Sequence, residues 1–327
     1  WFTDPSYGID TDYEGDKAES EIGACHVYRV DPGTGKVDAV ITDMKRRGYA
    51  FVTMDEVVER LKNGGAPPRF AAITADDAYR DNLTEALPVL ESHDAPITIY
   101  VAPGLINGEV DLWWELVEDI VAARDGFYLS TREGRVAVDC SSPSRKHDAI
   151  VRLHDFLTHD VREQDQRTIV RDLARAVGVD YTGPRRDTLM TWDELRRVAR
   201  HPLVTIGAHS LHHYNLRRLS DEDARREIAD AAAVLDIELG ETPKHMAYPY
   251  GYVWAVGERE VRLADEAGFV SAVTTRHGLL QPAHASHLHA LPRLSVNGRY
   301  QRVAHIRTML TGITTPLVNR GRTVVTI

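Results

Sequence analysis

Residues 203–215 read LVTIGAHSLHHYN: a short, nearly continuous apolar run rich in β-branched residues that ends abruptly in a polar cluster with three histidines. Such a run, apolar at successive positions instead of alternate ones, is the pattern of a strand buried on both faces. The same grammar recurs on either side of it. RFAAIT (69–74) leads into DDAYRDN and the helix-like NLTEALPVLESH, and ITIYVA (97–102) leads into PGLINGE. HMAYPY (245–250) leads into GYVWAVGEREVRLADEAG, FVSAVTT (269–275) into RHGLL, and LHALPRLSV (288–296) closes the series. Strands of this kind separated by helices predict an α/β fold whose mostly parallel sheet is covered on both faces. The polar clusters fall just past the strand ends, where a barrel gathers its functional side chains. An open doubly wound sheet would give similar text. No GxGxxG follows a strand and no GxxxxGK[ST] is present, so nothing argues for a dinucleotide or P-loop site.

Residues 1–36 are rich in Asp, Gly and Pro and read as a loosely ordered lead-in to one domain over 37–327. Met54–Leu61 reads as a helix stopped at Asn63-Gly64-Gly65. Residues 107–200 are too long for an ordinary strand-to-helix connection. DLWWELVEDIVAARDG and DQRTIVRDLARAVG make this stretch a mostly helical insertion, with Trp113 and Trp114 as packing residues.

Across 327 residues, 39 Lys and Arg against 49 Asp and Glu give a formal net charge of −10, which argues against a nucleic-acid or anionic-membrane partner. No apolar run is long enough to cross a bilayer. The opening WFTDPSYGIDTDYEGD is acidic and unlike a signal peptide, which favours a cytoplasmic location, or a secreted or periplasmic one if a signal has been removed. Cys25 and Cys140 are too few and too far apart for a zinc knuckle and are expected as free structural thiols.

Three clusters carry chemistry. His209 and His213 are four apart, and on a helical turn that spacing puts both imidazoles on one side, with His212 pointing elsewhere. Two imidazoles and one carboxylate suit a borderline divalent ion and leave positions open for water and substrate. Asp76-Asp77 supplies the carboxylates. Two adjacent acids at a strand end exceed what a helix N-cap needs, and a metal removes the cost of burying them together. One can ligate the ion and the other can accept a proton from water. Arg80-Asp81 is a supporting ion pair. Tyr248-Pro249-Tyr250-Gly251 is a fixed turn whose backbone N–H near Tyr250 can face a developing oxyanion.

These segments resemble the polysaccharide deacetylase family, the NodB-homology carbohydrate esterases, over roughly residues 40–296. The family's TFDDG appears as TADDA, its H[ST]xxH as HSLHH, and its RxPY as AYPYG. The resemblance implies a distorted (β/α) barrel. It also implies Asp76 as catalytic base and Asp77, His209 and His213 as metal ligands, with zinc suited to the donor set and cobalt, nickel or manganese also fitting it. The late Leu-His motif matches Leu288-His289 textually, making His289 the general acid that protonates the leaving amine, with His284 and His287 as rivals. The implied reaction is removal of the N-acetyl group from an amino sugar in an oligo- or polysaccharide.

The departures from the family pattern are specific. Ala75 and Ala78 replace its Phe and Gly, and Ala78 is expected to avoid the left-handed geometry that Gly allows. Ala247 stands where many members have an Arg that orients the base, and no Asp-Trp fourth motif is recognisable. Arg293 can orient a carboxylate, contact substrate or form a structural ion pair. Two other functions remain open at this level: an amidase for a small non-sugar amide, and a non-catalytic carbohydrate-binding protein. A glycosidase is less favoured, since no second, separated carboxylate pair stands out.

Overall fold

The computed structural model describes residues 36–64, 69–181, 188–296 and 302–327. The lead-in over 1–35, with Cys25, lies outside the described residues; Cys140 is buried. The chain forms two compact units. One contains the described residues within 36–109 and 188–327, and the other residues 110–181.

All six strand candidates pair in a single parallel sheet of the first unit: β1 (Ile73–Ala75), β2 (Ile97–Val101), β3 (Val204–Ala208), β4 (His245–Ala247), β5 (Ser271–His277) and β6 (Leu291–Arg293). Their order in the sheet is their order in the chain. Ala75 pairs with Ile99, Val101 with Ala208, Ala208 with Met246 and Ala247 with Val273. Sequential parallel strands turn the sheet steadily in one direction. Arg293, at the end of edge strand β6, donates from Nη1 to Thr74 Oγ1 on the opposite edge strand β1 at 3.2 Å. The sheet is therefore curled until its two edges meet through side chains.

Tyr100, Ala247, Val273 and Leu291, from four strands, cluster with Val52, Met54, Val57 and Leu61 of the segment that includes the helix Met54–Asn63. That helix begins where Thr53 accepts a hydrogen bond from the Glu56 N–H, and ends at Gly64 with φ 59°. Gly207 is required by close approach: a Cβ there would lie 2.4 Å from the Tyr100 ring. The helix Asp221–Leu239 is capped by Ser220, carries acids throughout its first turn and stops at left-handed Gly240.

The second unit contains the helices Trp113–Ala123 and Glu163–Val177, as the sequence pattern predicts, and a third, Pro143–Asp155, whose first turn falls in the stretch 141–146 that reads as loop in the sequence. Trp113 and Trp114 are 4% and 1% exposed, which makes them packing residues. Two corrections apply to the expected insertion. Gly126–Thr131 and Gly134–Asp139 form an antiparallel hairpin, and Trp192–Val198 is a helix of the first unit. Phe127 and Leu129, and Val136 and Val138, alternate inward along the two strands, but only Leu129 and Val138 are buried, so the apolar signal is short and weak. No helix among the described residues is long and apolar enough to cross a membrane.

At the N-terminal ends of the strands, His245 and Ser271 are register partners. His245 Nδ1 lies 2.8 Å from Ser271 Oγ, and its Nε2 lies 3.3 Å from Asp55 Oδ1. Burial lowers the His245 pKa, while Asp55 works in the opposite direction. The unfolded chain therefore takes up this proton first as the pH falls below about 6.5, so stability is lower at about pH 5 than at about pH 7. His245→Gln should flatten that dependence in urea midpoints measured at both pH values. An unchanged slope would remove His245 from the acid sensitivity.

Candidate metal centre

Every element of the candidate site sits at the C-terminal end of a strand. Asp76 and Asp77 follow β1, His209 follows β3, Tyr248–Tyr250 follow β4, and Arg293 ends β6. The backbone there is unusual. Among the described residues, seven non-glycine positions have left-handed φ, and five of them are here: Asp77 (67°), Ala78 (56°), Ser210 (55°), His213 (55°) and Tyr250 (64°). Each costs of order 1–2 kcal/mol for an L-residue, and such outliers concentrate at functional sites.

Two sequence expectations are corrected by this backbone. Ala78 does not avoid the left-handed region; it occupies it, fully buried, with its carbonyl accepting the Met190 N–H at 2.9 Å. His209–His213 is not a helical turn either. Two left-handed residues, Ser210 and His213, reverse the chain and bring the two rings to 4.9 Å between centroids. The residues meet as expected, by a loop and not by helical periodicity.

Asp77, His209 and His213 are 2%, 2% and 4% exposed, and one donor atom from each lies within 4.8 Å of the others. Asp77 Oδ1 is 3.6 Å from His209 Nε2 and 3.4 Å from His213 Nε2. Ligands held about 2.0–2.1 Å from a tetrahedral ion are spaced about 3.3 Å apart, so the three fit a divalent cation with little movement. His209 Nδ1 donates to the Ala247 carbonyl at 2.8 Å, which fixes its tautomer with the Nε2 lone pair facing Asp77 and His213. Burial lowers the pKa of His209 and pushes that of His213 well down, the latter reinforced by His209. Neutral imidazole is the form that ligates.

Asp76 lies beside this triad but is held by a different partner. Its two oxygens accept a bidentate pair from Arg293 Nη1 and Nη2, both at 2.8 Å, and Arg293 Nε donates to the Thr274 carbonyl at 2.9 Å. Burial pushes the Asp76 carboxyl up, but the charge and hydrogen bonds of Arg293, together with His209, outweigh it and hold the pKa at about 2. Of the readings open for Arg293, this contact fits both orientation of a carboxylate and a structural ion pair. Arg80 pairs with Glu194 at 3.2 Å.

Tyr250 is 3% exposed, with its ring 5.3 Å from that of His213. Thr275 Oγ1 donates to the Tyr250 carbonyl at 2.6 Å, and a Cβ on Gly251 would lie 2.4 Å from the Thr275 nitrogen, so the turn is tightly held. His289 is not brought to the site. It precedes β6, at the opposite end of the sheet from Asp77, and Nε2 is 2.6 Å from the Phe269 carbonyl. The textual Leu-His match is therefore not matched by position. His284 engages the main chain of Gln281 and Val325 through its two ring nitrogens, and His287 lies on the surface. His212 points elsewhere, as expected: Nδ1 meets Glu227 at 2.6 Å and Nε2 meets Glu109 at 3.2 Å. The Glu227 hydrogen bond raises its pKa against the effect of burial. Neither glutamate carries a sequence signal, since both fall outside any motif.

A sequence model of the family described as Polysaccharide deacetylase matches residues 156–270, which include His209, His213 and Tyr250. Among curated proteins, no sequence matches. Three solved structures are similar in fold. The Streptococcus pyogenes deacetylase PplD in complex with acetate is 17% identical, with TM-score 0.55 over 85% of this chain and 86% of that one. IcaB from Ammonifex degensii is 15% identical, with TM-score 0.53 over 86% and 91%. BC0361, a polysaccharide deacetylase from Bacillus cereus, is 14% identical, with TM-score 0.51 over 92% and 66%. The matching family model bears out the family resemblance over the part of the chain that holds HSLHH and AYPYG, while TADDA lies outside the matched residues.

Two stability predictions follow from the site's geometry. The Asp76 and Arg293 side chains are 10% and 9% exposed, so Arg293→Met strands a buried carboxylate and should cost about 3–5 kcal/mol. Adding Asp76→Asn should recover much of that loss in denaturant melts; a double variant no more stable than the single would show the pair is not the cause. At buried Ala75 on β1, Ala→Gly removes a methyl and adds backbone freedom, costing about 1–2 kcal/mol. At Ala78 the relief of left-handed strain, about 1–2 kcal/mol, offsets those terms, so Ala78→Gly should fall within ~0.5 kcal/mol of wild type. Equal losses at both positions would contradict the strain argument.

Proposed function

We propose that this chain is a metal-dependent hydrolase that removes the N-acetyl group from an amino sugar in an oligo- or polysaccharide, and that its curled sheet is a distorted (β/α) barrel. The observation that carries the reading is the meeting of Asp77, His209 and His213 around one point, with a separately anchored carboxylate, Asp76, next to Asp77 in the chain.

Asp77, His209 and His213 would hold the ion. When bound there, a divalent cation supplies Lewis acidity to an amide carbonyl and makes water acidic enough to ionise near neutral pH. Zinc is the metal we infer, with cobalt, nickel or manganese compatible with two nitrogens and one oxygen. Asp76 takes the proton from water during attack and would pass it to the leaving nitrogen as the C–N bond breaks, so that acetate and the free amine result. Arg293 keeps that carboxylate ionised and fixes both of its oxygens. The Tyr250 turn, whose carbonyl is held by Thr275, would offer a backbone N–H to the oxyanion. Arg293 also bears on the doubt raised by Ala247. The base-orienting contact that the family resemblance assigns to a third-motif Arg is made here from β6.

The test is acetate release from a panel of N-acetylglucosamine oligomers with metal-loaded protein, with and without chelator. Release should stop on chelation and return on metal addition. Asp76→Asn should lower kcat by about 10²–10⁴-fold while keeping the bound metal. A metal-loaded protein that releases no acetate from the whole panel would defeat the deacetylase reading.

A further inference from the structure

We propose that Glu227, acting through His212, is a positioning residue for the metal loop. This rests on the reading of Asp77, His209 and His213 as metal ligands. The loop from His209 to His213 holds two left-handed residues, Ser210 and His213, a conformation that relaxes unless its neighbours enforce it. Contacts from two other parts of the first unit do so. From the middle of the helix Asp221–Leu239, Glu227 Oε2 accepts the His212 N–H at 2.8 Å, Oε1 meets His212 Nδ1 at 2.6 Å, and the Glu227 carbonyl accepts the Leu211 N–H at 2.9 Å. From the segment after β2, the Gly104 N–H donates to the Leu211 carbonyl at 2.7 Å, and Glu109 Oε2 lies 3.2 Å from His212 Nε2.

The middle of the loop is thus gripped on both sides, and the two ligands sit at its ends. Gly104 lets the second segment come this close: a Cβ there would lie 2.8 Å from the Leu211 oxygen and 2.9 Å from His212 Cδ2. Glu227 is 7% exposed, so its three contacts operate where water competes little. Its carboxylate is the only group in the brace that reaches both the main chain and the ring of His212. Surface ion pairing does not explain a buried mid-helix glutamate aimed at a loop backbone, whereas enforcing a strained loop does. The His213 lone pair then finds Asp77 and His209 without the loop having to be ordered by the ion itself.

The experiment is metal affinity of the full chain, measured with zinc against a competing chelator in the absence of substrate, alongside the thermal midpoint of the metal-free protein. Outer contacts that hold ligands typically govern about 10–100-fold in affinity. Glu227→Ala should weaken zinc binding by about that factor, beyond any change in folding, and Glu227→Gln, which retains an oxygen for the His212 N–H, should recover part of it. If Glu227→Ala does not fold, His212→Leu, which removes only the ring contacts, should still weaken zinc several-fold. A folded Glu227→Ala, or failing that His212→Leu, that binds zinc within twofold of wild type overturns the brace and leaves the metal reading intact. A wild-type chain that binds no zinc, cobalt, nickel or manganese overturns the metal reading, and the brace with it.

Discussion

The bidentate contact between Arg293 and Asp76 joins the two edge strands of the parallel sheet, and the geometry of the site depends on it. A parallel sheet with sequential strand order has one strand at each end, and the two are neighbours only if the sheet curls. Arg293 reaches both Thr74 and Asp76 on the far edge while its Nε holds the Thr274 carbonyl of the adjacent strand. Three points on two strands are therefore tied by one planar, permanently charged group. Lysine would offer neither the fork nor the fixed plane. This places the adjacent carboxylates in different roles: Asp76 is committed to the arginine, which leaves Asp77 to turn towards the imidazoles.

That turn is made by backbone strain. Asp77 and Ala78 are consecutive left-handed residues, and the reversal they create separates the directions of Asp76 and Asp77. Ser210 and His213 do the same for the two histidines, and Tyr250 with Gly251 for the third loop. All three loops hold conformations that L-residues resist, and each is held by hydrogen bonds from structure around it: Met190 to Ala78, Glu227 and Gly104 to the histidine loop, Thr275 to Tyr250. The strain is stored where ligands converge, and the regular elements carry its cost.

Much of this was legible in the sequence because it depends on period and local grammar. The six strands announce themselves as apolar runs ending in polar clusters, and they all pair. Asp77, His209 and His213 were legible because two imidazoles and an acid at strand ends have few other uses. The i,i+4 spacing gave the right pair for the wrong reason: Ser210 and His213 are left-handed, and no helical turn is present. What was not legible depends on tertiary distance. Arg293 is 217 residues from Asp76, and nothing local distinguishes it from a structural arginine. His289 misled because a two-letter motif does not encode which end of a strand it occupies. The hairpin within residues 110–181 escaped because its burial rests on two side chains. Ala78 was misjudged because a residue type states a preference for φ, while tertiary hydrogen bonds decide it.

The two halves of the site also depend on each other chemically. An arginine that orients a carboxylate weakens it as a base, and Asp76, held at about 2, is a poor acceptor for a proton from ordinary water. Orientation of so weak a base is useful only if the proton it receives comes from an unusually acidic donor. The Asp77, His209 and His213 donor set is suited to the group that makes water acidic. Neutral imidazoles, kept so by burial, leave that group's charge uncompensated except by Asp77. A stronger, unpaired Asp76 would compete with Asp77 for the cation. The arginine therefore keeps the two adjacent carboxylates distinct, one bound to its guanidinium and one facing the imidazoles.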